Sequence, residues 1–140
     1  MSPHAAAELE NREVRAKDIP SPVTSNLLVV EGAGGLLVPI NTSETIADLI
    51  QNDDFVILVS KHYLGSINHT LLSLEYLKNR GHKVGVLFIG DQHPSTESII
   101  AKKTDARILG RMDWAQEVNE EFVSAQAQKL KKTLKDFVNE

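Results

Sequence analysis

Residues 26–41 read NLLVVEGAGGLLVPIN. The unbroken apolar run Leu27 to Val30 is the pattern of a strand buried on both faces, here spanning 27–31. Glu31 then places one carboxylate where that strand ends, and Gly32-Ala33-Gly34-Gly35 strips the backbone of bulk. Such a stretch directly after a strand suits the close approach of another group to backbone N–H donors. A second apolar piece, Leu36–Ile40, stops at Asn41-Thr42-Ser43. Ser43 is placed to cap a helix to about Ile50, with Glu44 in its first turn.

The same alternation continues downstream. Phe55–Ser60 (FVILVS) and Val84–Ile89 are further strands of the buried kind. Between them, Ile67, Leu71, Leu74 and Leu77 form a helical stripe over 66–80, and Gly81 stops it. A helix over 95–103, a short strand over 107–109 and a helix over 117–138 follow, the last with Phe122, Leu130, Leu134 and Phe137 near one side. Upstream, PHAAAELE (3–10) reads as a helical turn with Ser2 as its cap, and KDIPSPVTS (17–25) as an extended connection. Apolar strands alternating with helices mean βαβ units. The expected fold is α/β, a doubly wound, mostly parallel sheet with helices on both faces, in one domain spanning 1–140.

Composition narrows the function classes. A net charge of −4 and a pI near 5.7 argue against general affinity for nucleic acid or anionic membrane. No apolar run approaches the roughly 18 residues of a membrane span, and the N-terminus lacks a signal-peptide core. With no cysteine there is no disulfide or thiolate metal site, which fits a reducing cytoplasm. The five histidines lack metal-site spacing.

Ligands of parallel sheets sit outside the carboxyl ends of strands, which singles out Glu31–Gly35, Lys61–Asn68 and Gly90–Pro94. Glu31 and its glycines either carry Mg²⁺ and phosphate or form a tight turn beside a solvated carboxylate. Leu64-Gly65-Ser66-Ile67-Asn68-His69 opens a helix. Its N–H groups and dipole suit an anion, or the segment is a plain turn capped by Ser66 with His69 on the surface. Gly85 and Gly90 half-match a phosphate loop, but Asp91 and Gln92 stand where Lys and Ser/Thr belong, and no G-x-x-x-x-G-K-[ST] occurs in the 140 residues. Trp114, the only tryptophan, either stacks on a base or closes the edge of the core.

VVEGAGGLLVPI, the later ILVSKHYLGSINHTLLSLEYLK at 57–78 and SPHAAAELE at 2–10 together resemble the dethiobiotin synthetase family, over nearly the whole chain and in the family's order. The resemblance implies a P-loop NTPase-like fold, here lacking the first strand and the P-loop, and a cytoplasmic homodimer of biotin biosynthesis. It implies ATP- and Mg²⁺-dependent carboxylation and ring closure of 7,8-diaminononanoate. By the same resemblance Glu31 is a Mg²⁺ ligand and lies with Gly32, Ala33 and Gly34 against phosphates. Gly65, Ser66, Ile67 and Asn68 hold the substrate carboxylate, across a dimer interface. Asp113, Trp114 and Ala115 pass the adenine.

Two departures from the family follow. Its chains are longer at the start, where the phosphate loop, two lysines and an acidic metal ligand lie; here Met1 is followed at once by the SPH segment. No catalytic residue is therefore assigned, and the chain alone is expected to be inactive. The family's adenine-reading Asn is Ile89 here, and each unpaired polar edge of the base costs on the order of 1–3 kcal/mol. Three readings stand: a truncated or degenerate member, half of a split enzyme completed by a P-loop-bearing chain, and a non-catalytic small-acid-binding or dimerising module. Turnover on adding a loop-bearing half separates the split enzyme from the module.

Overall fold

The computed structural model describes residues 1–139. They fall into two compact units, Met1–Gln51 and Asn52 onward, each with its own buried residues. In the first unit, helix α1 (Pro3–Leu9) starts on Pro3, whose missing N–H costs nothing at that position. Ser2 is the N-cap by backbone, but its hydroxyl pairs with Nδ1 of His4 at 2.9 Å instead of a helical N–H. One 3-10 turn covers Ala16–Asp18, and residues 19–25 lack regular structure.

Two expected elements of this unit form differently. The helix expected from Ser43 to Ile50 is a single 3-10 turn, Ile46–Leu49. Asn41 is the reason: its Oδ1 accepts from the N–H of Ser43 (2.8 Å) and of Glu44 (2.9 Å), which spends the donors a longer helix would start from. Thr45 is bridged antiparallel to Pro39, and Ile46 and Ala47 donate to the carbonyls of Val38 and Leu36 at 3.0 and 2.9 Å. The cap is Thr45, whose N–H reaches the Asp48 carboxylate at 2.7 Å.

The expected strand at 27–31 is absent. Leu27, Val29 and Val30 are 86%, 90% and 70% exposed, in chain without regular structure. An apolar run reports a preference for burial, but a strand also needs a neighbouring edge for its N–H and C=O groups. Among the described residues no strand pairs with this one.

The second unit is a parallel sheet in the order β1-β2-β3, built from β1 (Phe55–Lys61), β2 (Lys83–Ile89) and β3 (Arg107–Met112). Its crossovers are α2 (Ser66–Asn79) and α3 (Pro94–Thr104), and α4 (Glu120–Val138) closes the chain. Parallel pairing puts Val56, Leu58 and Ser60 beside Val84, Val86 and Phe88 on one face. There Val86 and Phe88 pack with Leu74 of α2 and Ile100 of α3, flanked by Leu58, Leu71, Val84 and Ala106. Both crossover helices cover this face, as successive crossovers of one hand require.

The opposite face belongs to α4. Leu130 lies where a Cβ on Gly110 would come within 3.0 Å, and the Phe137 ring meets Phe55 edge-on at 5.5 Å. The expected doubly wound arrangement, helices on both faces, is therefore present. Strand β3 runs past the expected Leu109 to Met112 because β2 supplies an edge that far, with a register shift at Val86/Leu87. Helix α4 begins at Glu120 rather than near 117 because the Asn119 side chain accepts the N–H of Phe122 at 2.9 Å.

Gly85 is fixed by packing: a Cβ there would lie 2.6 Å from both Cγ and Cδ1 of Leu109, itself 1% exposed. Gly85→Ala is expected to cost about 1–3 kcal/mol by overpacking, and Leu74→Ala about 2–5 kcal/mol through the cavity it leaves. Gly35→Ala, whose Cβ would meet open space, is expected to stay within about 0.5 kcal/mol of the parent. Urea denaturation of the three variants checks the ranking.

Candidate functional site

The carboxyl edge of the sheet is where Lys61, Ile89 and Met112 end their strands in register. From β1 the chain turns through residues 62–65 into α2. Gly65 is the N-cap, at a φ of +102° that side-chain-bearing residues rarely adopt. Ser66, expected as the cap, is instead the first helical residue, 4% exposed, and its N–H donates to the Tyr63 carbonyl at 3.0 Å. Ile67 and Asn68 supply the next N–H groups of the first turn, which a helix leaves without intrahelical acceptors, and both side chains face solvent. His69 is exposed as expected, and its Nδ1 pairs with the Tyr63 hydroxyl at 2.5 Å.

From β3 the chain enters Asp113-Trp114-Ala115. The Asp113 carboxylate accepts from Lys129 Nζ at 2.7 Å and Gln126 Nε2 at 3.0 Å, and its N–H donates to Gln126 Oε1 at 3.0 Å. The Lys129 hydrogen bond, then that of Gln126, holds this carboxyl below the usual range. Trp114 is 62% exposed, with the Lys61 ammonium 4.4 Å from its ring centroid. Strand pairing thus brings Gly65–Asn68 and Asp113–Ala115 to the same edge, and a cation–π contact joins the end of β1 to the segment after β3. Ile89, at the end of β2, sits between Lys61 and Met112 in the register.

Glu31–Gly34 lie in the first unit. Glu31 and Ala33 are exposed. A Cβ on Gly32 would fall 2.8 Å from Cγ2 of Ile46, and Gly34, at φ +90°, would bring one to 3.0 Å from Val38. Both glycines are therefore already required by packing and backbone within this unit. Among the described residues no group of three or more His, Asp or Glu is arranged for a metal. The lone Glu31 carboxylate fits the way Mg²⁺ is held beside nucleotides, by one or two carboxylates with phosphate oxygens and water completing the shell.

One cluster at the carboxyl edge escaped the sequence reading. Glu97 Oε1 accepts from the His93 N–H (2.8 Å), from His62 Nε2 (3.0 Å) and from Arg111 Nη2. The side chains of His62, Glu97 and Arg111 are 7%, 16% and 18% exposed. The first-turn Glu after Pro94 was a legible helix start, but His62 and Arg111 are 35 and 14 residues away in sequence and nothing local links them to it. Burial works against ionisation of Glu97, and is outweighed by the His93 N–H, Arg111 and His62 together, so its carboxyl lies below the usual range. A depressed carboxyl adds stability above its unfolded value of about 4.5 and loses it as pH falls through the folded one. Glu97→Gln is therefore expected to flatten the acid limb of the stability–pH curve below about pH 4.5, as urea midpoints across pH 3–6 would show.

Comparison with known proteins follows the same lines. The profile of a family described as an AAA domain matches residues 1–122. The ATP-dependent dethiobiotin synthetase of Christiangramia forsetii is 53% identical over 135 residues, 96% of this chain and 65% of that protein. That of Cytophaga hutchinsonii is 47% identical over 133 residues, 93% of this chain and 65% of its own. That of Brucella ovis is 46% identical over 113 residues, 79% and 53% respectively. The chain thus spans less than two-thirds of the length of these relatives. Matched by that profile over most of its residues and about half identical to these enzymes, it belongs to the dethiobiotin synthetase family of AAA domains.

Proposed function

We propose that this chain supplies the substrate-acid end and the base end of a dethiobiotin synthetase site, working as a homodimer or with a further polypeptide that carries a phosphate loop. The observation that carries the reading is the start of α2. It is a 14-residue helix opened by a left-handed glycine at the carboxyl edge of a parallel sheet, inside the LGSINH motif. In the proposed reaction an amine of 7,8-diaminononanoate adds to CO₂ as a carbamate. A carbamate oxygen then takes the γ-phosphoryl of ATP, and the second amine attacks the carbonyl carbon and expels phosphate as the urea ring closes. ATP and Mg²⁺ supply the activation of the carbamate oxygen as a leaving group.

The chain's own residues bind and orient. The N–H groups of Ile67 and Asn68 donate to the substrate carboxylate, favoured by the helix dipole, with Gly65 and Ser66 shaping the approach. An exposed helix end contributes only about 0.3–1 kcal/mol to an anion, so this end orients the acid more than it supplies affinity. Glu31 is the residue to hold Mg²⁺, with Gly32, Ala33 and Gly34 beside the phosphates. Trp114, between Asp113 and Ala115, offers an exposed ring face to the adenine. Since no G-x-x-x-x-G-K-[ST] occurs in these 140 residues, turnover is proposed to need that loop from elsewhere, phosphoryl transfer being mostly positioning and charge stabilisation.

A second reading, a non-catalytic module that binds small acids or dimerises, is favoured by Ile89. At the end of β2 an aliphatic side chain offers neither donor nor acceptor to a base, although acid capture at α2 would be untouched. Among the described residues no helix is long and apolar enough to cross a membrane; a cytoplasmic location is proposed from the family resemblance alone.

Isothermal titration of the 140-residue chain is expected to show heat with 7,8-diaminononanoate and none with Mg²⁺–ATP at affinities tighter than about 100 μM, roughly −5.5 kcal/mol. Silence with the diamino acid would remove the α2 assignment. Asn68→Asp, which adds a like charge, is expected to weaken that binding about tenfold, whereas Asn68→Ala leaves it nearly unchanged because backbone N–H groups do the holding. Phosphate release after mixing with a loop-bearing chain supports the enzyme reading; none under any mixing supports the module.

A further inference from the structure

None of His62, Glu97 and Arg111 is among the residues placed in the site, yet they connect the two loops that frame it. Arg111 Nη1 donates to the carbonyls of Gly90 (2.9 Å) and Asp91 (3.0 Å), and so holds the turn between β2 and α3 from its neighbour strand. Its Nη2 reaches Glu97, whose same oxygen also holds the His93 N–H and His62. The His62 ring lies against Phe88 at 5.4 Å and against His93 at 4.5 Å, measured between centroids. Its Nδ1 is buried without a partner. Among the described residues Glu97 is thus the polar anchor of a buried ring, and losing it leaves both ring nitrogens unpaired, which a buried group does not tolerate well.

From this geometry we infer that His62 and Arg111 are positioning residues coupled through Glu97, so that the turn after β2 sets the pose of the loop leading into Gly65–Asn68. His62 is the first residue after β1 and the third before Gly65. Three residues separate His62 from the first turn of α2, and the backbone between them is further tied by Ser66 N–H to the Tyr63 carbonyl. Among the described residues His62 and Arg111 both hydrogen-bond Glu97 and not each other, so that carboxylate is the hydrogen-bonded link between their loops, beside the packing of the His62 ring on His93 and on the Phe88 ring that the Arg111 guanidinium also approaches. Such coupling is reciprocal by thermodynamic necessity. The consequence for ligand binding rests on the proposed role of the α2 N-terminus; the coupling does not.

Amide hydrogen exchange on the 140-residue chain tests it with Arg111→Lys, which keeps the charge but cannot span two carbonyls and a carboxylate, and with His62→Phe, which keeps the ring contacts but cannot donate. Arg111→Lys is expected to speed exchange about tenfold at residues 62–67 as well as at 90–93, and His62→Phe to do the same at 90–93 as well as at 62–67, while Val86 and Phe88 in β2 keep their protection. Effects confined to each variant's own loop would overturn the coupling. So would a uniform loss that includes β2, the result of a merely structural role. Where the parent binds 7,8-diaminononanoate, Arg111→Lys is also expected to weaken it about fivefold or more without touching it. A silent parent would sink the ligand reading and leave the exchange result to stand alone.

Discussion

Everything in the larger unit depends on β2 being satisfied in four directions. Its backbone is paired with β1 on one edge and β3 on the other, while Val86 and Phe88 are buried under α2 and α3 and Leu87 is buried on the face that α4 covers. A strand so enclosed has no solvent fallback for a lost hydrogen bond or a misplaced methyl. This is why Gly85 admits no Cβ against Leu109. It also fixes the positions at which β1 and β3 end, and those ends are where the chemistry-bearing loops begin. Register, more than any single side chain, delivers Gly65–Asn68 and Asp113–Ala115 to one edge.

What could be read in the sequence was what is decided locally or by burial on both faces. The apolar runs FVILVS and VGVLFI became strands, the stripe through Leu71, Leu74 and Leu77 became α2, and Gly81, at φ +80°, ended that helix. The run Leu27–Val30 has the same composition and became nothing regular, because pairing is a property of two segments and the residues advertise only one. Asn41 similarly overrode a plausible helix by capturing the N–H groups of Ser43 and Glu44, a competition that side-chain propensity does not rank in advance. The buried polar cluster was invisible for a third reason. His62 follows β1, Glu97 lies in α3 and Arg111 in β3, and only the fold makes them neighbours.

The proposed site shows the same division. The backbone part, a helix opening straight after β1 within LGSINH, followed from a short motif and was legible, although its cap is Gly65 and not the expected Ser66. The parts that rest on side-chain company were not. Asp113, read as a residue beside a base, is occupied by Lys129 and Gln126 of α4. Gly32 and Gly34, read as room for phosphate, also lie against Ile46 and Val38, contacts that the motif does not announce. A glycine spared for a ligand and a glycine spared for a neighbouring side chain look identical in sequence.

Trp114 carries a practical consequence. It is the only tryptophan, it stands mostly in solvent beside the Lys61 ammonium, and it lies beyond the end of β3 rather than in the core. Tryptophan emission from this protein, excited at the red edge where the two tyrosines do not absorb, is consequently a single-position signal from the rim of the sheet. Followed during denaturation, it registers the detachment of that rim, whereas far-ultraviolet circular dichroism registers the helices behind it. Coincidence of the two transitions is what a two-state treatment assumes, and here the chain has placed its one tryptophan where a departure from it would be seen first.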